Sequence, residues 1–124
     1  MTDKKDQNED FLEFEEFIDV AGGLSRTLGN MTLYCKFLKS FISEPMVDDL
    51  TRNFGQEDLK KIAGKVHALK GTVANLGLTK LFKAAEEVEK EVRAGRKPDN
   101  IDNLAQAASQ TAAAVDKFLK MQAP

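Results

Sequence analysis

Apolar residues recur every three or four positions along most of this chain and nowhere alternate with polar ones over a strand's length, so the pattern predicts helices and no sheet. Residues 1–9 are polar and aperiodic and read as a disordered tail, which leaves residues 10–124 as one folded unit. From Asp10 onward, Phe11, Phe14, Phe17, Ile18 and Ala21 mark a short amphipathic helix that Gly22 and Gly23 should stop, with one further turn over Ser25 to Leu28. A second helix begins near Asn30 and carries Met31, Tyr34, Phe37, Leu38, Phe41 and Ile42 on its apolar side. Pro45 interrupts it with a kink or a fresh start, because proline lacks the amide donor and clashes with the turn before it. Met46, Val47, Leu50 and Phe54 then continue the pattern to Gly55.

The strongest periodicity runs from Gln56 to Asn75, where Leu59, Ile62, Val66, Leu69, Val73 and Leu76 form one stripe and Gly77 supplies a left-handed stop. Leu78, Leu81, Ala85, Val88 and Val92 follow on the next helix, which ends at the loop AGRKPDN. Asp99 or Asn100 caps the last one, striped by Ile101, Leu104, Ala108, Thr111, Val115 and Phe118. Helices of similar length joined by short loops pack antiparallel. The expected fold is therefore all-α: an antiparallel up-down-up-down four-helix bundle with the short N-terminal helix laid over one end.

Composition narrows the function more than the fold. No run of about 18 apolar residues is present to span a bilayer, and the polar N-terminus lacks the apolar segment of a secretory signal, so a cytoplasmic protein without a membrane role is expected. The single cysteine, Cys35, lies among Tyr34, Phe37 and Leu38 and reads as a buried, reduced thiol. One histidine cannot furnish a metal site, and the inward Glu-x-x-His pairs of metal-binding bundles are missing, so no cofactor or metal of the chain's own is expected. Charge is unevenly placed. Residues 1–19 hold eight acids against Lys4 and Lys5, whereas residues 52–83 hold seven bases against Glu57 and Asp58. The bland reading is two solvated faces of opposite sign; the sharper one is that the basic region meets an acidic partner. Nucleic acid is not that partner, given a pI near 5.5 and no recognisable reading motif.

The basic region contains the chain's only histidine, within VHALKGTVANLG. At about 100° per residue, the apolar stripe of this helix is centred well over a quarter turn from His67, so the imidazole points largely to solvent. Around it fall Lys60, Ala63, Gly64, Lys70, Gly71 and Ala74, and three of the four positions one turn away are Ala63, Gly64 and Gly71. A glycine inside a helix costs about 1 kcal/mol relative to alanine. What two of them leave here is access to the ring, unless the small face is instead a tight helix contact inside the bundle. Lys70, three residues along, can neutralise charge on a transferred phosphoryl group, and Lys60 adds a longer-range field. No second acid or base is near in sequence, so a partner must supply the remaining chemistry.

His67-Ala68-Leu69-Lys70-Gly71-Thr72, with Ala74-Asn75-Leu76-Gly77 and Leu81 after it, resembles the signature of the histidine-containing phosphotransfer (HPt) domain, H-x-L-K-G-[ST]-x-x-x-x-G. The stretch AGGLSRTLGNMTLYCKFLKSFI is similar to the start of that family's second helix, and the acidic run Glu86, Glu87 and Glu89 with Gly95 resembles its fourth helix and loop. The resemblance implies a carrier without kinase activity: His67 accepts a phosphoryl group from a receiver-domain aspartate or a histidine kinase system and passes it to a response-regulator aspartate. Lys70 then stabilises the phosphoryl charge and Gly71 keeps the ring accessible, with Lys60, Ala63, Gly64, Ala68 and Ala74 as partner-binding positions. Its implied partners are response-regulator receiver domains, which supply Mg²⁺, and a sensor or hybrid histidine kinase. Val66 and Ala68 depart mildly from the pattern, standing where a small residue and a hydroxyl residue are frequent. A leading methionine and the lack of a kinase or receiver segment suggest a stand-alone monomeric intermediate. The alternatives are the phosphoacceptor domain of a larger kinase, or an interaction module never phosphorylated, which would use the basic face and the Phe11, Phe14, Phe17 surface.

Overall fold

The computed structural model describes residues 14–44, 46–52, 58–97 and 101–122, and these are all helix, turn or short connection. After a single turn at residues 14–17 come α1 (Val20–Arg26), α2 (Met31–Ser43), α3 (Met46–Arg52), α4 (Leu59–Leu76), α5 (Thr79–Arg93) and α6 (Ile101–Gln122). The expected tail at 1–9, the helix start at Asp10 and Phe11, Pro45, Phe54, Gly55, Gln56 and the Asp99 or Asn100 cap lie outside the described residues. Among the described residues, no helix is long and apolar enough to cross a membrane.

The N-terminal expectation needs correction. Gly22 and Gly23 do not stop a helix but lie inside α1, which begins only after Asp19 caps it by accepting from the Gly22 amide at 3.0 Å. Gly23 serves packing: it is buried, and a Cβ there would run into the Tyr34 ring. α2 opens as expected at Asn30, whose side chain accepts from the Leu33 amide.

α4 starts slightly later than its periodicity implies, because Asp58 accepts from the Lys61 amide and fixes Leu59 as the first helical residue. Its predicted stripe is the buried one: Ile62, Val66, Leu69, Val73 and Leu76. α5 packs most extensively on α4, α6 packs on α5, α3 and α2, and α1 covers the joint of α4 and α2. One core results, with Tyr34, Leu38, Leu81, Val88, Leu104, Val115 and Phe118 all buried and Phe14 set edge-on to Phe118 at 5.5 Å. Of the aromatic trio considered as a binding surface, Phe14 is buried and Phe17 packs partly against the core; Phe11 lies outside the described residues. Cys35 is half-buried, not buried, and burial raises its thiol pKa.

The C-terminal end of α4 is pinned from several sides. Gly77 takes φ 73° as the left-handed C-cap. Its carbonyl accepts from the Asp19 amide at 2.7 Å, and the Tyr34 hydroxyl donates to the Leu76 carbonyl at 2.7 Å. Thr79 donates its amide to the Phe17 carbonyl at 3.1 Å, and Lys80 reaches Glu16 at 2.9 Å. The C-terminal end of the helix that carries His67 is thereby tied to the N-terminal segment and to α2.

Candidate functional site

Val66 and Leu69 are fully buried, and that burial fixes the rotation of α4 and turns the intervening His67 outward. The His67 side chain is 65 % exposed. Gly64 and Gly71 lie exposed on the same face, and a Cβ at either would meet nothing within 4 Å. The two glycines are thus not a helix contact within the bundle, and the face on their side of the ring is open, while Ala63 packs partly against the core.

A group that the sequence pattern did not assign completes the site. Glu89, on α5, is turned inward beside Val88 and Val92, and its carboxylate is only 6 % exposed. Its Oε2 lies 2.9 Å from His67 Nδ1, and its Oε1 lies 2.7 Å from Lys70 Nζ. Arg93, one turn further along α5, places Nε at 3.0 Å and Nη2 at 2.8 Å from the same Oε2. Burial alone would raise the Glu89 pKa, but hydrogen bonds from Lys70, Arg93 and His67 outweigh it and hold the group down at about 2.

The ionised carboxylate fixes the chemistry of the ring. A carboxylate without its proton can only accept, so His67 Nδ1 carries the hydrogen and donates it. In the neutral imidazole the lone pair then belongs to Nε2. The result is an exposed nucleophilic nitrogen on a ring oriented by a buried anion.

The placement of Lys70 differs from the simplest expectation. It lies near the ring as predicted but is paired with Glu89, its side chain 26 % exposed, so at rest it is a committed cation and not an open one. Among the other positions, Lys60, Gly64, Ala68 and Gly71 are exposed around His67, while Ala63 and Ala74 are half-buried at the edges of the helix face. Of the acidic run, Glu86 is half-buried and Glu87 exposed, and Glu89 alone is buried. Its signal was present in the sequence: Glu89 stands four residues after Ala85 and three before Val92, on the edge of an apolar stripe where a carboxylate needs a partner. Among the described residues, no group of three or more His, Cys, Asp or Glu side chains is placed to hold a metal ion.

A family model for the Hpt domain matches residues 38–120, more than half of the chain. The chain belongs to the Hpt domain family. Comparison with curated proteins and with solved structures finds no match. As an Hpt domain the chain takes part in phosphorelay signalling, in a family whose domains are in general phosphotransfer carriers and not kinases, and which interact with receiver domains and histidine kinases. The Hpt match takes in the whole of α4, α5 and the His67, Lys70, Glu89 and Arg93 cluster.

Proposed function

We propose that His67 is the phosphoacceptor of this Hpt domain, taking a phosphoryl group from a receiver aspartate or a histidine kinase system and delivering it to a response-regulator aspartate. The observation that carries this reading is the Nδ1 hydrogen bond to Glu89, which leaves Nε2 bare on an open helix face. The Nε2 lone pair attacks phosphorus, the P–N bond forms as the P–O bond to the aspartate breaks, and the aspartate carboxylate leaves with the electron pair. The Nδ1 proton stays in place. Positive charge that builds on the ring meets the Glu89 carboxylate, and the phosphoryl oxygens meet the Lys70 ammonium. The receiver contributes Mg²⁺ and its own acidic pocket, while Lys60, Ala63, Gly64, Ala68 and Ala74 form the surface against which it docks, with Gly71 admitting it closely. In this reading α2 with α3, then α4, α5 and α6, form an antiparallel up-down-up-down bundle, a topology supported by the two-residue connection, Gly77 and Leu78, between α4 and α5. The domain acts as a cytoplasmic monomer.

Incubation with a phosphorylated receiver domain is the direct test. Acid-labile, base-stable label should appear on the wild type and vanish in His67→Gln. Label that persists in the variant would remove His67 from this role.

A further inference from the structure

Glu89 receives two cations where one would neutralise it, and they come from different helices. Lys70 belongs to α4, one turn from His67, and holds Oε1 at 2.7 Å. Arg93 belongs to α5, one turn from Glu89, and engages Oε2 through two N–H groups at 3.0 and 2.8 Å. The arrangement sets a difficulty for phosphoryl transfer. The cation nearest in sequence to the phosphoacceptor is already occupied, and withdrawing it from a carboxylate that is 6 % exposed would leave a nearly buried charge unpaired.

We propose that Arg93 is the counter-charge that releases Lys70: when the phosphoryl group arrives on His67, the Lys70 ammonium passes from Glu89 Oε1 to the phosphoryl oxygens, and Arg93 keeps Glu89 paired and oriented. The proposal rests on reading His67 as the phosphoacceptor. The division of labour follows from the side chains. Arginine's planar fork, clamped on one oxygen by a neighbour at i+4, is suited to staying, and lysine's compact ammonium on a four-carbon stem is suited to moving. Arg93 also binds the oxygen that accepts from Nδ1, so its staying preserves the ring's orientation through the exchange. During transfer the P–N bond forms, the P–O bond to the receiver aspartate breaks with the electron pair leaving on that carboxylate, and the Nδ1 proton does not move. Arg93 touches neither reacting atom and is a positioning residue.

The test uses the full chain phosphorylated by a phosphorylated receiver domain, then separated from it, with the lifetime of the label on His67 measured in wild type, Arg93→Ala, Arg93→Gln, Arg93→Lys, Lys70→Ala and the Arg93→Ala/Lys70→Ala pair. Arg93→Ala and Arg93→Gln should shorten the lifetime by about tenfold, as Lys70→Ala does, the ratio expected when one charge-assisted hydrogen bond is lost. The double variant should be no shorter-lived than Lys70→Ala, because Arg93 acts on the phosphoryl group only through Lys70, and Arg93→Lys should restore most of the wild-type lifetime. A merely structural role would lower the thermal midpoint without this non-additivity. Should Arg93→Ala fail to fold, Arg93→Gln carries the same comparison. Wild-type lifetime in either neutral variant, or effects of Arg93 and Lys70 that multiply, would overturn the proposal while leaving His67 as the phosphoacceptor. Absence of label on wild-type His67 would overturn the underlying reading instead.

Discussion

Protonating Glu89 should undo part of the fold and the site together. Its pKa is depressed from 4.5 to about 2 in the folded chain, so its contribution to stability is fully present above pH 4.5 and is lost as pH falls through about 2. A shift of that size corresponds to roughly 3 kcal/mol. In urea unfolding, Glu89→Gln should therefore be less stable than wild type at pH 7, and the two curves should converge towards pH 2; a gap that stays constant with pH would show that the charge is not what stabilises. Gly71 makes the complementary case, since the residue is exposed, helical and open around its missing Cβ. Gly71→Ala should stabilise α4 by about 0.5–1 kcal/mol, and Gly71→Leu should also keep the helix, yet both should slow phosphotransfer, leucine far more. Faster or unchanged transfer in the leucine variant would refute the access role. His67, Lys70 and Gly71 were legible in the sequence because they share one helix at spacings of three and four residues. Glu89 left only the hint of a carboxylate at the edge of an apolar stripe, and its role was not legible, because its contact with His67 spans 22 residues and depends on how α5 is rotated against α4; the role of Arg93, one turn from Glu89 on the same helix, follows only once Glu89 is placed.

At the scale of elements, the end of α4 shows what local pattern can and cannot reveal. Gly77 as a left-handed stop was readable from the residues around it. The backbone of Asp19, which packs so close that a Cβ on Gly77 would strike its carbonyl oxygen, was not. Gly77→Ala therefore meets two penalties, about 1–2 kcal/mol for the left-handed backbone and a further collision, and should lower the thermal midpoint measurably more than Gly71→Ala raises it. Tyr34→Phe keeps the ring but leaves the buried Leu76 carbonyl without its 2.7 Å donor, an expected loss of about 1–2 kcal/mol by denaturant unfolding. The misjudged Gly22-Gly23 pair has the same origin. Two adjacent glycines look like a terminator, but Asp19, three residues before Gly22, supplies a local cap, and Tyr34 needs the space at Gly23, a tertiary fact.

The whole molecule is held by more than the segment that identifies its family. The Hpt match begins at Leu38, inside α2, yet Phe14, Ile18, Val20 and Tyr34 before it are all buried in the shared core. Phe14 and Tyr34 both set their rings edge-on to Phe118, at 5.5 and 6.3 Å, so the N-terminal segment and the last helix meet on one side chain. Burying four such residues contributes on the order of 6–12 kcal/mol, comparable with the whole stability of a domain this size. A chain cut to residues 38–120 should for that reason lose its cooperative thermal transition, although it retains α4, α5 and every member of the His67 cluster. In the full-length chain, Phe14→Ala should cost about 3–5 kcal/mol and lower the melting temperature without touching the site. Circular dichroism melts of the two proteins check the argument: a sharp, native-like transition in the 38–120 fragment would mean that α4 can hold His67 outward without the N-terminal segment pinning its far end.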